Sequence, residues 1–175
     1  MTQAITTEVR SKDLVHSGAD EAASQYLTFS LADEEYGVEI LRVREIKGWV
    51  PVTQIPNAPA FLKGVLNLRG TIVPIVDLRM RFNMDAIEYT PTTVVIVLSL
   101  VSEGSERTFG IVVDAVSDVL NIADGDIRPK PDFGTVVDAD FISGLATVDE
   151  QMVMLLDIDR LLRPDEINVI SSVTE

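Results

Sequence analysis

Cysteine is absent from this sequence, and His16 is its only histidine. The lack of cysteine excludes disulfides, thiolate nucleophiles, and zinc or iron–sulfur sites built on cysteine. His16 lies in a polar N-terminal segment, so we expect a solvated side chain rather than a member of a Ser–His–Asp triad or of a histidine-rich metal site.

Positive charge is also scarce, with 14 lysines and arginines against 28 aspartates and glutamates and a net charge of −14. Nucleic acids and anionic membranes are bound through basic surfaces, which this balance argues against. No uncharged run approaches the length of a membrane span. Residues 1–24 lack the basic and then apolar regions of a signal peptide. We therefore expect a soluble, cytoplasmic protein.

Motifs that would indicate a cofactor or a catalytic nucleophile are missing as well. The sequence contains no glycine-rich phosphate loop and no Gly-x-Ser-x-Gly turn. The pairs Asp124/Asp126 and Asp138/Asp140 lack the spacing of a calcium loop, so they are better interpreted as turn residues. We expect neither cofactor nor metal. The abundance of acids leaves a glycosidase-like carboxylate pair open on sequence grounds alone.

Short hydrophobic segments dominate what is present. Hydrophobic residues make up 46% of the 175 residues, enough for one domain or two small halves with a common core. Alternating or continuous apolar patterns predict about ten short strands, at 26–31, 36–40, 43–49, 63–68, 71–76, 93–101, 109–113, 115–122, 142–148 and 152–157. Short strands at regular spacing are typical of barrels and sandwiches.

The remaining segments are predicted as turns, loops and tails. Residues 58–62 are predicted to form one helical turn, Asp77 to cap a short helix over 77–82, and residues 158–162 to be helical. Residues 124–135 are predicted to be loop. Residues 1–24 are predicted to be a disordered arm and 163–175 a loose tail.

The chain contains an internal repeat. Tyr36–Ile46 aligns with Phe109–Val119, and Phe61–Phe82 aligns with Phe141–Leu162, with glycines and acidic residues in register and no gap inside either block. Each copy holds about five strands, enough for one small barrel, and two barrels could share a core with a groove between them.

The copies differ at one hairpin tip, where the first has Asn67-Leu68-Arg69-Gly70 and the second has Thr147-Val148-Asp149-Glu150. Arg69 is either a charge that contacts a partner or a solvated turn residue, and the residues alone do not decide between the two. For Trp49 and Phe82, core packing is favoured over a role as interface anchors.

Four segments resemble the CheW family of bacterial chemotaxis coupling proteins: Asp33–Ile46, Phe61–Arg79, Gly110–Leu120 and Ile127–Pro131. The match runs from about Gln25 to Leu162. The resemblance implies an all-β fold of two pseudo-symmetric five-stranded SH3-like β-barrels around a shared core, with short helices. The two barrels would be intertwined subdomains of one domain spanning 25–162. It also implies a non-catalytic adaptor that binds the cytoplasmic tip of transmembrane chemoreceptors and the regulatory domain of the histidine kinase CheA. Such adaptors are recruited to receptor arrays at the inner face of the membrane.

The resemblance also implies site residues. Those implied for the receptor are Val43, Glu45, Gly64, Arg69 and Val94. Those implied for the kinase are Arg128 and Phe133.

Three alternatives are open. The domain could belong to a CheA or CheV protein, although the chain has no room for their further domains, which favours an independent adaptor. It could be a hydrolase that uses Asp114 and Asp118, although Asp118 aligns with Glu45 in the repeat and so fits a symmetric role. It could also couple a related array that does not control motility.

Overall fold

The computed structural model describes residues 23–102, 104–129 and 141–161. Eleven strands lie in this part of the chain: β1 Ala23–Leu31, β2 Glu34–Glu39, β3 Val43–Gly48, β4 Leu62–Leu68, β5 Thr71–Asp77, β6 Val94–Ser102, β7 Ser105–Val113, β8 Ala115–Ala123, β9 Ile127–Arg128, β10 Ile142–Val148 and β11 Gln151–Leu156. One α-helix, α1, spans Leu78–Arg81. Short 3₁₀ turns are present at Ile40–Arg42, Asp124–Asp126 and Ile158–Arg160.

The strands form two sheets, and each sheet closes into a barrel. Barrel 1 has the order β3-β6-β7-β5-β4, and barrel 2 has the order β8-β1-β2-β11-β10-β9. In barrel 1 the chain continues from β3 until Thr53 exchanges two backbone hydrogen bonds, of 2.9 and 3.0 Å, with Val65 of β4. In barrel 2 the two-residue strand β9 makes the corresponding closing contact, with Arg128 opposite Leu145 of β10. The predicted all-β class with two repeated barrels is confirmed.

The two repeat copies exchange strands, so the expectation that one copy suffices for one barrel is wrong. The β1–β2 hairpin of the first copy lies in barrel 2, between strands β8 and β11 of the second copy. The β6–β7 hairpin of the second copy lies in barrel 1, between β3 and β5 of the first. The physical reason is the short connection Ile40–Arg42, which carries the chain from β2 directly into the other barrel.

Strand register confirms the repeat alignment. Gly37 lies opposite Leu155 in barrel 2, and its counterpart Gly110 lies opposite Ile75, the counterpart of Leu155, in barrel 1. The β-bulges recur at matching places, before Gly64 in β4 and before Gly144 in β10. The pairing therefore follows the same pattern in both barrels although the sequences have diverged.

Three apolar clusters fill the molecule. The largest is a shared core between the barrels, to which both sheets contribute, and the two smaller clusters are the barrel interiors. Strand β6 contributes to both the shared core and the interior of barrel 1, because successive side chains point to opposite faces of a strand. Its Val95 and Val97 point into barrel 1, whereas Ile96 and Leu98 point into the shared core. Burial of these side chains, at about 25 cal/mol per Å² of apolar surface, is the main term that holds the barrels together.

The predicted core roles of Trp49 and Phe82 agree with their contacts. Trp49 packs against the interior of barrel 1 and makes an edge contact with Tyr89, with ring centroids 4.4 Å apart. Phe82 packs against the shared core and stacks on Phe141 at 5.4 Å. Both aromatic rings therefore already have intramolecular partners.

Of the predictions for helices and loops, one is confirmed, one is wrong, and one is wrong at the start of its range. The Asp77 cap is confirmed, since its carboxylate accepts hydrogen bonds from the backbone N–H groups of Arg79 at 3.0 Å and Met80 at 3.3 Å. The helical turn at 58–62 is wrong: the chain there makes non-helical turns and enters β4 at Leu62. Within the predicted loop 124–135, the start is instead a 3₁₀ turn followed by β9, because pairing with β10 orders it.

Among the described residues, no helix is both long and apolar enough to cross a lipid bilayer.

Candidate interaction surface

Arg69 lies at the tip of the β4–β5 hairpin, in a two-residue turn. Its φ is +51° and that of Gly70 is +89°, the pattern of a type I′ turn, for which Asn and Gly are the usual residues. The Asn67 side-chain oxygen accepts a 2.8 Å hydrogen bond from the Gly70 N–H and stabilises the turn. An arginine in this strained backbone region points outward, and its side chain is 77% exposed. The turn thus presents a cation to solvent.

Glu45 of β3 is the partner of Arg69. One guanidinium nitrogen donates to Glu45 Oε1 at 2.6 Å, and this hydrogen bond is the main reason that the pKa of Glu45 is lowered and that of Arg69 is raised. Strands β3 and β4 lie at opposite ends of the sheet order, so the contact spans the closure of barrel 1. A pair this exposed adds little to stability. Its consequence is to fix the orientation of an exposed charge.

The other three residues implied for receptor binding occupy different environments. Val43, half-buried against the shared core, begins β3 just before the bulge that precedes Glu45. Val94 is also half-buried against that core, but lies opposite Gly48 at the far end of β3, about 10 Å along the strand from Glu45. The structure therefore brings Glu45 and Arg69 into contact and places Val43 near Glu45 on β3. Val94 lies away from this pair, opposite the far end of β3.

Gly64 is buried beneath the segment that closes barrel 1. Its φ is +152°, and a Cβ placed there would overlap the carbonyl oxygen of Thr53. The glycine is what allows Thr53 to approach β4 closely enough to form its hydrogen bonds with Val65. Any substitution at Gly64 would thus act through closure of the barrel and not by direct contact with a partner.

The residues implied for kinase binding belong to the second copy. Arg128 is exposed on β9 of barrel 2 and pairs with Leu145, just as Thr53 pairs in barrel 1 with Val65, the residue aligned with Leu145. Phe133 lies outside the described residues. Asp138 and Asp140, the second pair of aspartates in the sequence, lie outside them too.

Sequence reasoning did not find a set of exposed apolar side chains at equivalent places on the two barrels. On barrel 1 they are Ile46, 43% exposed, and Ile72, 38% exposed. Their repeat counterparts on barrel 2 are Val119, 43% exposed, and Met152, 54% exposed. All four lie in strands that the sequence predicted. The one available signal was the repeat itself, because only aligned copies show that the positions correspond.

The charges around these positions differ between the barrels. Barrel 1 has Arg69 and Arg107 near the Ile72 end of its strands, and the corresponding positions in barrel 2 are Asp149 and Glu34. Two surfaces of the same backbone shape therefore carry charges of opposite sign. Such an arrangement can bind two different partners, because the sign of the charge influences which partner associates.

The Asp114 and Asp118 carboxylates do not form an acid–base pair. Asp114 accepts two hydrogen bonds from the Arg79 guanidinium, at 2.9 and 2.8 Å, and one from the Ala32 N–H, and its pKa is lowered chiefly by Arg79. Asp118 is exposed and accepts from the N–H of Val119. A general acid needs a raised pKa, so the environment of Asp114 is the opposite of what hydrolysis requires.

Comparison with known proteins agrees with this geometry. The family model described as the CheW-like domain matches residues 25–166. The chemotaxis protein CheW of Klebsiella aerogenes is 44% identical over 89% of this chain and 92% of its own length. The chemotaxis protein CheW of Rhizobium meliloti is 40% identical over 81% of this chain and 89% of its own. The crystal structure of the scaffolding protein TtCheW from Thermoanaerobacter tengcongensis superposes with a TM-score of 0.73 at 33% identity, covering 82% of this chain and 94% of TtCheW.

The chain belongs to the CheW-like family. Its role is that of a chemotaxis adaptor, a scaffold protein of the signalling system.

Proposed function

We propose that this adaptor couples the histidine kinase CheA to the cytoplasmic tip of transmembrane chemoreceptors, without catalysis of its own and without a cofactor. It acts in the cytoplasm, recruited to receptor arrays at the inner face of the membrane. The observation that carries the proposal is the pair of equivalent barrels that carry charges of opposite sign at two corresponding positions, Arg69 against Asp149 and Arg107 against Glu34. One fold thereby offers two surfaces to two partners.

The receptor contact is assigned to barrel 1. Arg69 and Glu45 form its polar part and fix orientation, and Val43 and Val94 contribute apolar surface at its edges. Gly64 supports this surface by letting barrel 1 close beneath it. A receptor helix would dock through spaced apolar anchors, with the ion pair selecting its register.

The kinase contact is assigned to Arg128, which lies on barrel 2, and to Phe133 of the second copy. Exposed charges such as Arg128 change association rate and specificity more than affinity. Each contact is weak alone, and many adaptors held in one array would strengthen both through multivalency.

The deciding experiment measures autophosphorylation of CheA with receptor-containing membranes, in the presence and absence of this protein. We expect the protein to raise kinase activity strongly, and an attractant then to suppress it. If the kinase and the receptors are both active but neither responds to the protein, the coupling role for these partners is wrong, while the family and the fold are unaffected.

A further inference from the structure

A cavity of about 240 Å³ opens on barrel 2, where β1, β2 and the end of β11 meet. Charged and hydroxyl side chains line it: Tyr26, Glu39, Arg42, Ser143, Asp157 and Asp159. It contains none of the residues assigned above to the receptor or the kinase.

The cavity has an excess of hydrogen-bond acceptors. Its one cation, Arg42, is already bound to Asp159 by two hydrogen bonds of 2.9 and 2.7 Å and to the Ser99 carbonyl at 3.1 Å. Glu39 reaches Arg42 only at 3.8 Å, and no side-chain hydrogen bond from Glu39 caps the following 3₁₀ turn. Asp157 accepts one hydrogen bond from the Asp159 N–H and forms an ion pair with Arg160 at 3.5 Å. Three carboxylates thus share two guanidiniums, and Glu39, the most weakly bound of the three, has lone pairs left for a further donor.

Tyr26 is the second observation that points to a ligand. The residue is only 8% exposed and lines the cavity, and its hydroxyl forms no hydrogen bond with any residue that the structure describes. Burial raises the pKa of this phenol, and the negative charges of Glu39 and Asp124 raise it further. This hydroxyl therefore has hydrogen-bonding capacity left for a ligand that enters the cavity.

The repeat shows what such a site accepts. Asp77 is the counterpart of Asp157 in barrel 1, and there the chain fills the equivalent position itself. The Tyr89 hydroxyl donates a 2.5 Å hydrogen bond to Asp77, and the Tyr89 ring packs against Trp49 and below the Lys63 ammonium. In barrel 1, therefore, an inserted side chain supplies the donor that this aspartate accepts.

Barrel 2 differs from barrel 1 in the charge around this position. Lys63 and Arg79 are replaced by Ser143 and Asp159, but Ala115 and Met80 are replaced by Arg42 and Arg160, so the number of cations is unchanged. Glu39 and Asp159 add two anions, and the replacement of Asp114 by Leu41 removes one, so barrel 2 has one more anion here. A neutral phenol satisfies the barrel 1 site, whereas the more acidic barrel 2 site favours a donor that is itself positively charged.

We propose that this cavity receives the side chain of an exposed arginine of a partner protein. A guanidinium presents several N–H groups in a planar fork and can donate to Glu39, Asp157 and the Tyr26 hydroxyl together. Its charge offsets the excess of three carboxylates over two guanidiniums. The cavity would then act as a specificity pocket that selects partners with an arginine at the right place.

The test uses the full-length, ¹⁵N-labelled protein and follows its amide resonances by NMR. N-acetyl-arginine amide is the probe, and N-acetyl-citrulline amide, which has the same shape without the charge, is the control ligand. We expect the arginine probe to shift the resonances of residues 39–42, 143 and 157–159 with a dissociation constant in the millimolar range, as for a single side chain. The citrulline probe should leave them unchanged.

Glu39→Gln and Tyr26→Phe should each weaken binding by about threefold or more, as expected for one exposed charge or one hydrogen bond. Glu150→Gln, an equally conservative change in a distant turn, should not. Dispersed amide spectra would establish that each variant is folded. Equal shifts with citrulline, no shifts at millimolar probe, or the same affinity in all three variants would overturn the proposal.

Discussion

At the scale of single residues, the Arg69 turn combines backbone strain with an exposed charge. A positive φ at a non-glycine residue costs free energy, of the order of 1 kcal/mol, and such strain is frequent at functional positions. Asn or Gly would form the same turn with less strain. The counterpart turn has the same positive φ at Asp149 and Glu150, so the exposed positive charge and not the strain distinguishes the Arg69 turn, and its contact with a partner stays a prediction.

Arg69→Glu should strongly reduce receptor-dependent activation of the kinase, because it inverts the exposed charge and repels Glu45. The thermal midpoint should change by no more than a few degrees, since turn substitutions away from the core seldom cost much. The double variant Glu45→Arg with Arg69→Glu separates two explanations. If it restores coupling, only the ion pair matters; if coupling stays low, Arg69 itself faces the receptor. Unfolding of the single variant would count against a recognition role.

Asp114 joins several parts of the chain. Its carboxylate binds Arg79 of α1 and the turn residue Ala32, and its carbonyl accepts from the Thr92 hydroxyl. Asp114→Asn should lower the free energy of unfolding by about 1–3 kcal/mol, because it leaves a largely buried guanidinium without its anion. The exposed Asp118→Asn is the matched control and should change it by less than about 0.5 kcal/mol. Urea denaturation at neutral pH measures both, and equal effects would contradict the assignment.

The same carboxylate sets a pH dependence. Arg79 holds the folded-state pKa of Asp114 below its value in the unfolded chain, roughly 3.9. The stabilisation is therefore fully present above that value and is lost as the pH falls through the folded-state pKa. The difference in unfolding free energy between the native protein and Asp114→Asn should shrink below about pH 4. A difference that stays constant down to pH 2 would rule out this linkage.

At the scale of elements, closure of each barrel depends on a glycine at a bulge. Gly64 admits the Thr53 carbonyl in barrel 1, and Gly144 admits β9 in barrel 2, where a Cβ would lie 2.7 Å from Ile127 Cγ2 and 3.0 Å from the Arg128 carbonyl oxygen. The repeat alignment put these glycines in register, yet the approaching segments do not resemble each other in sequence. Pattern alone therefore could not reveal their role.

Gly64→Ala should destabilise the protein by more than about 2 kcal/mol, since the added methyl group meets backbone and the φ is unfavourable. Gly48→Ala is the control, because nothing lies within 4 Å of a Cβ there. Chemical denaturation of both variants provides the comparison. If Gly64→Ala abolished receptor coupling at unchanged stability, Gly64 would be a direct contact and not a closure residue.

Strand β9 shows why element boundaries were only partly predictable. Its two residues carry no periodic pattern and follow the turn residues Asp124–Asp126, so the segment was predicted as loop. Its order comes from hydrogen bonds to β10, a partner distant in sequence. The α1 helix is the opposite case, because its cap, Asp77, lies next to it in the chain.

At the scale of the whole molecule, the exchange of strands makes the two barrels interdependent. Neither repeat copy contains all the strands of one barrel, and the shared core takes side chains from both sheets. The partners proposed for the two barrels would thus be attached to one cooperative unit. This suits a scaffold, whose task is to hold them at fixed separation.

Cleavage in the exposed loop between Ala86 and Ile87 tests this interdependence. We expect residues 1–86 and 87–175 each to lack a dispersed NMR spectrum when alone, because each would expose the core faces of its strands. Mixed together, they should reassemble into the native fold, since every barrel strand is then present. A native-like spectrum from either half alone would contradict the exchanged arrangement.

The sequence by itself determined the all-β class, most strand positions, the internal repeat, the Asp77 cap and the family. Those features depend on local periodicity or on residues close together in the chain. Only the tertiary structure decided which copy supplies which strand, that Arg69 meets Glu45, that Gly64 supports barrel closure, and that the barrel 2 cavity stands open where Tyr89 fills its counterpart. These depend on contacts between distant segments, and alternating apolar residues specify that a strand has a buried face without specifying what covers it.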